Sequence, residues 1–76
     1  MDFAKLKAPT LKELFVRELE TMILSGKLKI GERLPPERIL AEKMQVSRAV
    51  VNSGIAELSR KGFLKVKPRS GVFVID

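Results

Sequence analysis

Residues Pro35 to Gly62 read PPERILAEKMQVSRAVVNSGIAELSRKG, and the spacing of apolar residues in this run decides the architecture. Pro36 lacks an amide hydrogen, which is no loss in the first turn of a helix, and Pro35 forces Leu34 into an extended conformation. A helix is predicted from Glu37 to Met44, with Ile39, Leu40 and Met44 directed inward and Glu37 set against the positive helix end. Gln45-Val46-Ser47 then breaks the pattern. Ser47 is a good N-cap, so a further helix is predicted from Arg48 to Lys61, stopping at Gly62, with Val51, Ile55 and Leu58 on one stripe. Two helices joined by three residues form a helix-turn-helix, and Ala41 is the small side chain that lets them approach closely.

Upstream, Leu11, Leu14, Phe15, Leu19, Met22 and Ile23 recur at spacings of three and four, which predicts an amphipathic packing helix from about residue 11 to residue 25. Thr10 with Glu13 fits a capping box at its start, and Gly26 supplies a left-handed residue at its end. Lys27 to Pro36, with Gly31 and two prolines, reads as a connector. Downstream, Leu64 and Val66 alternate with Lys65 and Lys67, Pro68-Arg69-Ser70-Gly71 makes a turn, and Val72 to Ile75 returns. This is a hairpin with a basic tip, only marginally stable alone and therefore expected to dock on the helices. The expected fold is mainly α with a small β-hairpin (α+β), a winged helix-turn-helix in the order α-α-α-β-β. It covers residues 10–76, with residues 1–9 as a mobile arm.

Seventy-six residues support one small core and leave no room for a separate effector cavity, so any metabolite-sensing domain is expected outside this sequence. Cysteine and histidine are both absent. Structural zinc, metal-activated water and the Ser-His and Cys-His nucleophile pairs each lack a necessary member, so no enzyme activity, metal or cofactor is expected. No stretch approaches the roughly 20 apolar residues that span a bilayer, which with the missing cysteines suits a soluble cytoplasmic protein. The net charge of +6 is unevenly placed: residues 1–37 carry +1, residues 38–70 carry +6 and residues 71–76 carry −1. A positive field concentrated in one half suits a polyanion, although basic surfaces also serve solubility.

The run Leu34 to Arg48, LPPERILAEKMQVSR, resembles the signature of the GntR family of bacterial regulators. Ile23-Leu24-Ser25-Gly26-Lys27-Leu28 with Gly31-Glu32-Arg33 is similar to the family's approach to that signature. Leu58 to Leu64 and Arg69 to Val74 resemble its third-helix end and wing, so the likeness spans about residues 11–75. The resemblance implies sequence-specific, dimeric binding to palindromic operator DNA. It also implies a separate C-terminal domain that takes a small-molecule effector and holds a homodimer.

Arg48, at the first turn of the third helix, matches the family position that enters the major groove, where a guanidinium grips guanine O6 and N7 with about 1–3 kcal/mol of discrimination. Its position opposes the helix macrodipole, which argues against a purely structural role. Arg38 also resembles a DNA-contacting position; its structural alternative is a pair with Glu42 worth about 0.2–0.5 kcal/mol. Ser47 serves as cap, phosphate contact or both. Arg69, Ser70 and Gly71 match the wing tip, with Gly71 expected at positive φ, and Lys65 and Lys67 are placed to meet phosphate. Arg60 and Lys61 suit the negative end of the third helix.

Departures from the family also bear on specificity. Asn52 stands where much of the family has Arg, and Ala49 and Val50 replace small polar residues, so Asn52 is expected to pair with adenine N6 and N7 and the two apolar residues to meet a thymine methyl. Gln45 occupies a tight turn where Gly is common, at a cost of order 1 kcal/mol if its φ is positive, and Pro36 replaces a frequent capping Ser. Two rivals remain: a protein-interaction winged helix using Val50 and Val51, and a nonspecific basic nucleic-acid binder.

Overall fold

Helix α1 (Leu11–Leu24) begins where the sequence supplies a cap: in the computed structural model, which describes Phe3 and residues 8–76, the Thr10 hydroxyl oxygen accepts from the Glu13 amide at 3.1 Å. The same hydroxyl donates to Glu13 Oε1 at 3.2 Å, so the box closes through the hydroxyl rather than the Thr10 amide. Most of the expected mobile arm, residues 1–9, lies outside the described residues. The buried face of α1 is Phe15, Val16, Leu19 and Ile23. That face corrects the expected stripe, because Leu11 is 57% and Leu14 47% exposed while Val16 is buried. Residues two positions apart are separated by about 200° around a helix, so a Val16 that faces inward turns Leu14 to solvent.

Helices α2 (Glu37–Met44) and α3 (Arg48–Arg60) have the expected extents to within one residue. Leu40 and Ala41 are buried in α2, and Val51, Gly54, Ile55 and Leu58 in α3. Ile39 and Met44 are half-buried rather than interior. α3 meets α1 at Gly54, where an added Cβ would overlap the Phe15 ring, 2.6 Å from Cε1. Ala41, the small residue expected between α2 and α3, is buried, while the role of Gly54 against α1 has no signal in the sequence spacing.

Both α2 and α3 end in the same closure, with a left-handed residue one or two positions past the helix and its successor donating five residues back. In α3 these are Gly62 at φ 88° and Phe63 N–H to Leu58 O at 3.0 Å. In α2 they are Gln45 at φ 56° and Val46 N–H to Ala41 O at 3.1 Å, so the positive φ suspected at Gln45 is present.

Strands β1 (Leu64–Lys67) and β2 (Gly71–Val74) pair antiparallel, Leu64 opposite Val74 and Lys67 opposite Gly71. The hairpin docks in two ways. Leu64 and Val74, each 1% exposed, enter a core that includes Phe15, Leu19, Val51 and Leu58, and burying side chains of this size contributes about 1.5–3 kcal/mol apiece. The connector also pairs with it: Gly31 N–H donates to Val74 O at 2.7 Å, Val74 N–H to Glu32 O at 2.9 Å and Leu34 N–H to Val72 O at 2.8 Å. Residues 31–34 thus line the free edge of β2, which the connector reading did not anticipate. Val66, on the same strand face as Leu64, is 50% exposed and borders the groove between α3 and the hairpin.

Candidate nucleic-acid interface

The start of α3 is fixed by Ser47, whose Oγ accepts from the Val50 amide at 3.1 Å. From that start, Arg48, Ala49 and Asn52 point to solvent, while Val50 is half-buried against the core and Val51 is fully buried. Val50, one of the expected readers, thus divides its surface between the core and the helix face. The Val50–Val51 surface invoked for a protein-interaction module loses Val51 altogether.

Arg48 and Asn52, one helical turn apart, share a face and a partner. Glu37, the first residue of α2, sets Oε1 3.4 Å from Arg48 Nε and accepts from Asn52 Nδ2 through Oε2 at 3.3 Å. The Arg48 side chain remains 65% exposed, and its unfavourable place at a helix N-terminus is offset by this carboxylate. Arg38 takes the alternative weighed from sequence: Nη1 meets Glu42 Oε1 at 3.1 Å. Both side chains are more than half exposed, so the pair is weak and readily exchanged for another anion.

At the wing tip Ser70 N–H donates to Lys67 O at 3.0 Å, closing a turn whose central residues are Pro68 and Arg69. Arg69 has φ 67°, and Gly71 has φ 125° as expected. The positive φ at Arg69 is a second left-handed non-glycine residue, at a turn position that favours glycine. A Cβ on Gly71 would stand 2.6 Å from Arg33 Nε, so the missing side chain admits Arg33 across the hairpin. Lys67 Nζ lies 4.9 Å from the centroid of the Phe73 ring, a cation–π contact that leaves the ammonium at the surface.

Between α3 and the wing runs an open groove of about 460 Å³ whose lining includes Arg33, Asn52, Ile55, Val66, Lys67 and Arg69. Ser70 and Gly71 also border it, whereas Arg38, Ser47, Arg48, Ala49 and Lys65 lie outside its lining. Arg33 and Glu37 were not among the candidate site residues. Glu37 was assigned only to the helix dipole, and its meeting with residues 48 and 52 joins two helices, so no local spacing rule signals it. Arg60 and Lys61 sit elsewhere: Lys61 pairs with Glu20 of α1 at 3.3 Å and with Glu57 at 3.7 Å. Lys12 of α1 also reaches Glu57, at 3.2 Å. That hydrogen bond, reinforced by the charges of Lys12, Lys61 and Arg60 against some desolvation, holds the Glu57 carboxyl below its ordinary value. Among the described residues no group of three or more His, Cys, Asp or Glu is placed to hold a metal, and no helix is long and apolar enough to cross a membrane.

A helical trio whose last two members form a capped helix-turn-helix, followed by a two-stranded wing, defines the winged helix-turn-helix class of DNA-binding domains. The sequence profile of the bacterial regulatory proteins of the gntR family matches residues 11–74. Among curated proteins, the Uxu operon transcriptional regulator of Escherichia coli is 38% identical over 58 residues, covering 76% of this chain and 23% of that protein. Among solved structures, YtrA from Sulfolobus acidocaldarius, a GntR-family transcription factor, superposes with a TM-score of 0.84 at 27% identity, over 92% of this chain and 73% of that one. The AraR DNA-binding domain in complex with operator ORX1 has the same fold, with a TM-score of 0.84 at 24% identity over 97% of this chain and 92% of that one. The chain belongs to the gntR family of bacterial regulatory proteins, and it is a winged helix-turn-helix DNA-binding domain of a transcriptional regulator. It spans about 23% of the length of the curated relative it matches.

Proposed function

We propose that this domain reads a half-site of a palindromic operator by placing the N-terminal part of α3 in the major groove and the wing against the adjacent minor groove and backbone. The observation that carries the reading is the pair Arg48 and Asn52, exposed one turn apart at a helix start fixed by Ser47 and flanked by a basic groove. Arg48 takes guanine, Ala49 meets a thymine methyl, and Asn52 reads a neighbouring base edge. Arg38, Arg69 and Lys65, with Arg33 and Lys67 beside them, supply phosphate contacts, and the Ser47, Ser70 and Gly71 backbone follows the strand.

The proposed activity is binding rather than catalysis, exerted in the cytoplasm on double-stranded DNA. Matching only about a quarter of a curated relative supports a further domain, proposed to bind a small-molecule effector and hold a homodimer whose half-sites lie about one DNA turn apart. The regulated operon and the effector of any relative are properties of that relative.

Selection from a random duplex library at physiological salt, with wild-type protein and Arg48→Ala in parallel, tests the proposal. The expected result is a half-site containing a guanine whose selection is lost in Arg48→Ala. Binding with a steep salt dependence and no enriched sequence would leave a nonspecific nucleic-acid binder in its place.

A further inference from the structure

The basic groups on the face that carries α3 and the wing are of two kinds. Among the described residues Arg33, Lys65, Lys67 and Arg69 make no ion pair, so the wing side presents uncompensated charge. Arg48 differs, because Glu37 of α2 sets Oε1 3.4 Å from its Nε. That carboxylate is held from a second side, Oε2 accepting from Asn52 Nδ2 at 3.3 Å, and its side chain is 34% exposed. Arg38 has a carboxylate too, but Glu42 is 64% exposed and its one side-chain hydrogen bond among the described residues is to Arg38, so it can turn into solvent. Glu37 is the acid held in place.

A guanidinium holds two kinds of acceptor by different means. Guanine O6 and N7 carry no formal charge and are gripped by hydrogen bonds from the terminal Nη1 and Nη2 groups. A phosphate carries a full charge, and its attraction to a protein rests chiefly on the net charge it meets. Glu37 leaves the first means intact, since Nη1 and Nη2 have no partner among the described residues and the Arg48 side chain is 65% exposed. It cancels the second, since Arg48 and Glu37 together carry no net charge and the carboxylate repels an approaching phosphate. The pair keeps its donors and loses its charge.

We infer that Glu37 is a positioning residue that sets specificity: it lets Arg48 grip a base edge while weakening its hold on phosphate, and so lowers the affinity of the domain for nonspecific DNA. This rests on the proposed placement of Arg48 in the major groove and deepens it, because placement alone does not distinguish the two acceptors.

The test measures binding over a range of salt to two duplexes, the half-site recovered by selection and a scrambled duplex of the same length and composition. Wild type is compared with Glu37→Gln, Glu37→Ala and Glu20→Gln, each checked for folding by circular dichroism. Glu20→Gln controls for net charge, because Glu20 pairs with Lys61 at the other end of α3, about 20 Å along the helix from Arg48 and beyond the Debye length at physiological salt. An Arg48 freed of Glu37 adds one phosphate contact, which steepens the slope of log K against log salt by about 0.9 and corresponds to about fivefold in affinity at about 0.15 M salt. Both Glu37 variants are therefore expected to bind the scrambled duplex about fivefold more tightly. They should gain less on the half-site, so that the ratio of the two affinities falls about threefold or more. Glu20→Gln should shift neither duplex by more than about twofold. Unchanged or weakened binding of the scrambled duplex by both folded Glu37 variants overturns the inference and leaves sequence-specific binding standing. So does an equal gain on both duplexes, or a gain matched by Glu20→Gln. If the wild-type protein enriches no sequence at all, the proposed function falls and the inference with it.

Discussion

Replacing Gln45 by Gly should make the domain more stable without altering DNA binding. The structure contains its own control for this substitution, since α2 and α3 close in the same way but only α3 does so with glycine. Gly62 and Gln45 adopt φ values of 88° and 56°, and the donors that follow them reach Leu58 O at 3.0 Å and Ala41 O at 3.1 Å. A left-handed conformation costs an L-residue roughly 1–2 kcal/mol, and glycine gives back about 0.5–1 kcal/mol through the extra freedom it loses on folding. The Gln45 side chain is exposed and makes no hydrogen bond among the described residues, so truncating it removes no contact. The balance is a gain of about 0.5–1 kcal/mol, which for a domain of this size raises Tm by about 2–8 °C. Thermal unfolding followed by circular dichroism measures it, with Gln45→Ala alongside. Alanine keeps the Cβ that causes the strain and should stay within about 0.5 kcal/mol of wild type. A lower Tm in Gln45→Gly, or an equal rise in Gln45→Ala, would refute the reasoning.

Gly54→Ala should destabilise by about 1–3 kcal/mol, read as a Tm lowered by about 4 °C or more, because the new methyl meets the Phe15 ring, which is 1% exposed. Glu57 is held below its ordinary value in the folded state, so its stabilisation is present above the unfolded carboxyl pKa and is lost as pH falls through the folded value. The Tm advantage of wild type over Glu57→Gln should therefore be full near neutrality and shrink as pH falls below the ordinary glutamate range, and a difference independent of pH would contradict the Lys12 pairing. Arg69→Gly should move two assays in opposite directions, raising Tm by relief of positive φ while weakening DNA binding and flattening its salt dependence by about one phosphate contact.

Local rules made most of the fold legible. Thr10, Ser47, Gly26 and Gly62 mark helix ends by their own backbone chemistry, and periodicity fixed the interior stripe of α3 at Val51, Ile55 and Leu58. Where the reading failed, the cause was contact between distant segments. Leu14 fits a helical period as well as Val16 does, and only the position of α3 decides which one is buried. Gly54 looks like a helix weakness until Phe15 is placed beside it, and the edge formed by residues 31–34 requires β2 to exist first. The site followed the same division. Arg48, Asn52 and the wing tip were legible from their elements and from family resemblance, whereas Glu37 and Arg33 act across elements and were not.

Four residues that break a local preference gather on one face of the molecule. Arg48 sits at the helix end that repels it, Glu37 places a carboxylate beside a groove lined by Arg33, Lys67 and Arg69, Arg69 holds a backbone conformation that suits glycine, and Val66 leaves half its surface exposed. All four line or adjoin the groove between α3 and the wing, through direct lining or through the Glu37 contacts. Local conflicts that a fold retains on one face are best explained by what that face must bind, since each carries a stability cost with no packing return. Gln45 shares the conformation of Arg69 but lies outside that lining, in the turn between α2 and α3. The same backbone strain should therefore have different consequences at the two positions: removable at Gln45 at no functional loss, and at Arg69 removable only together with a phosphate contact.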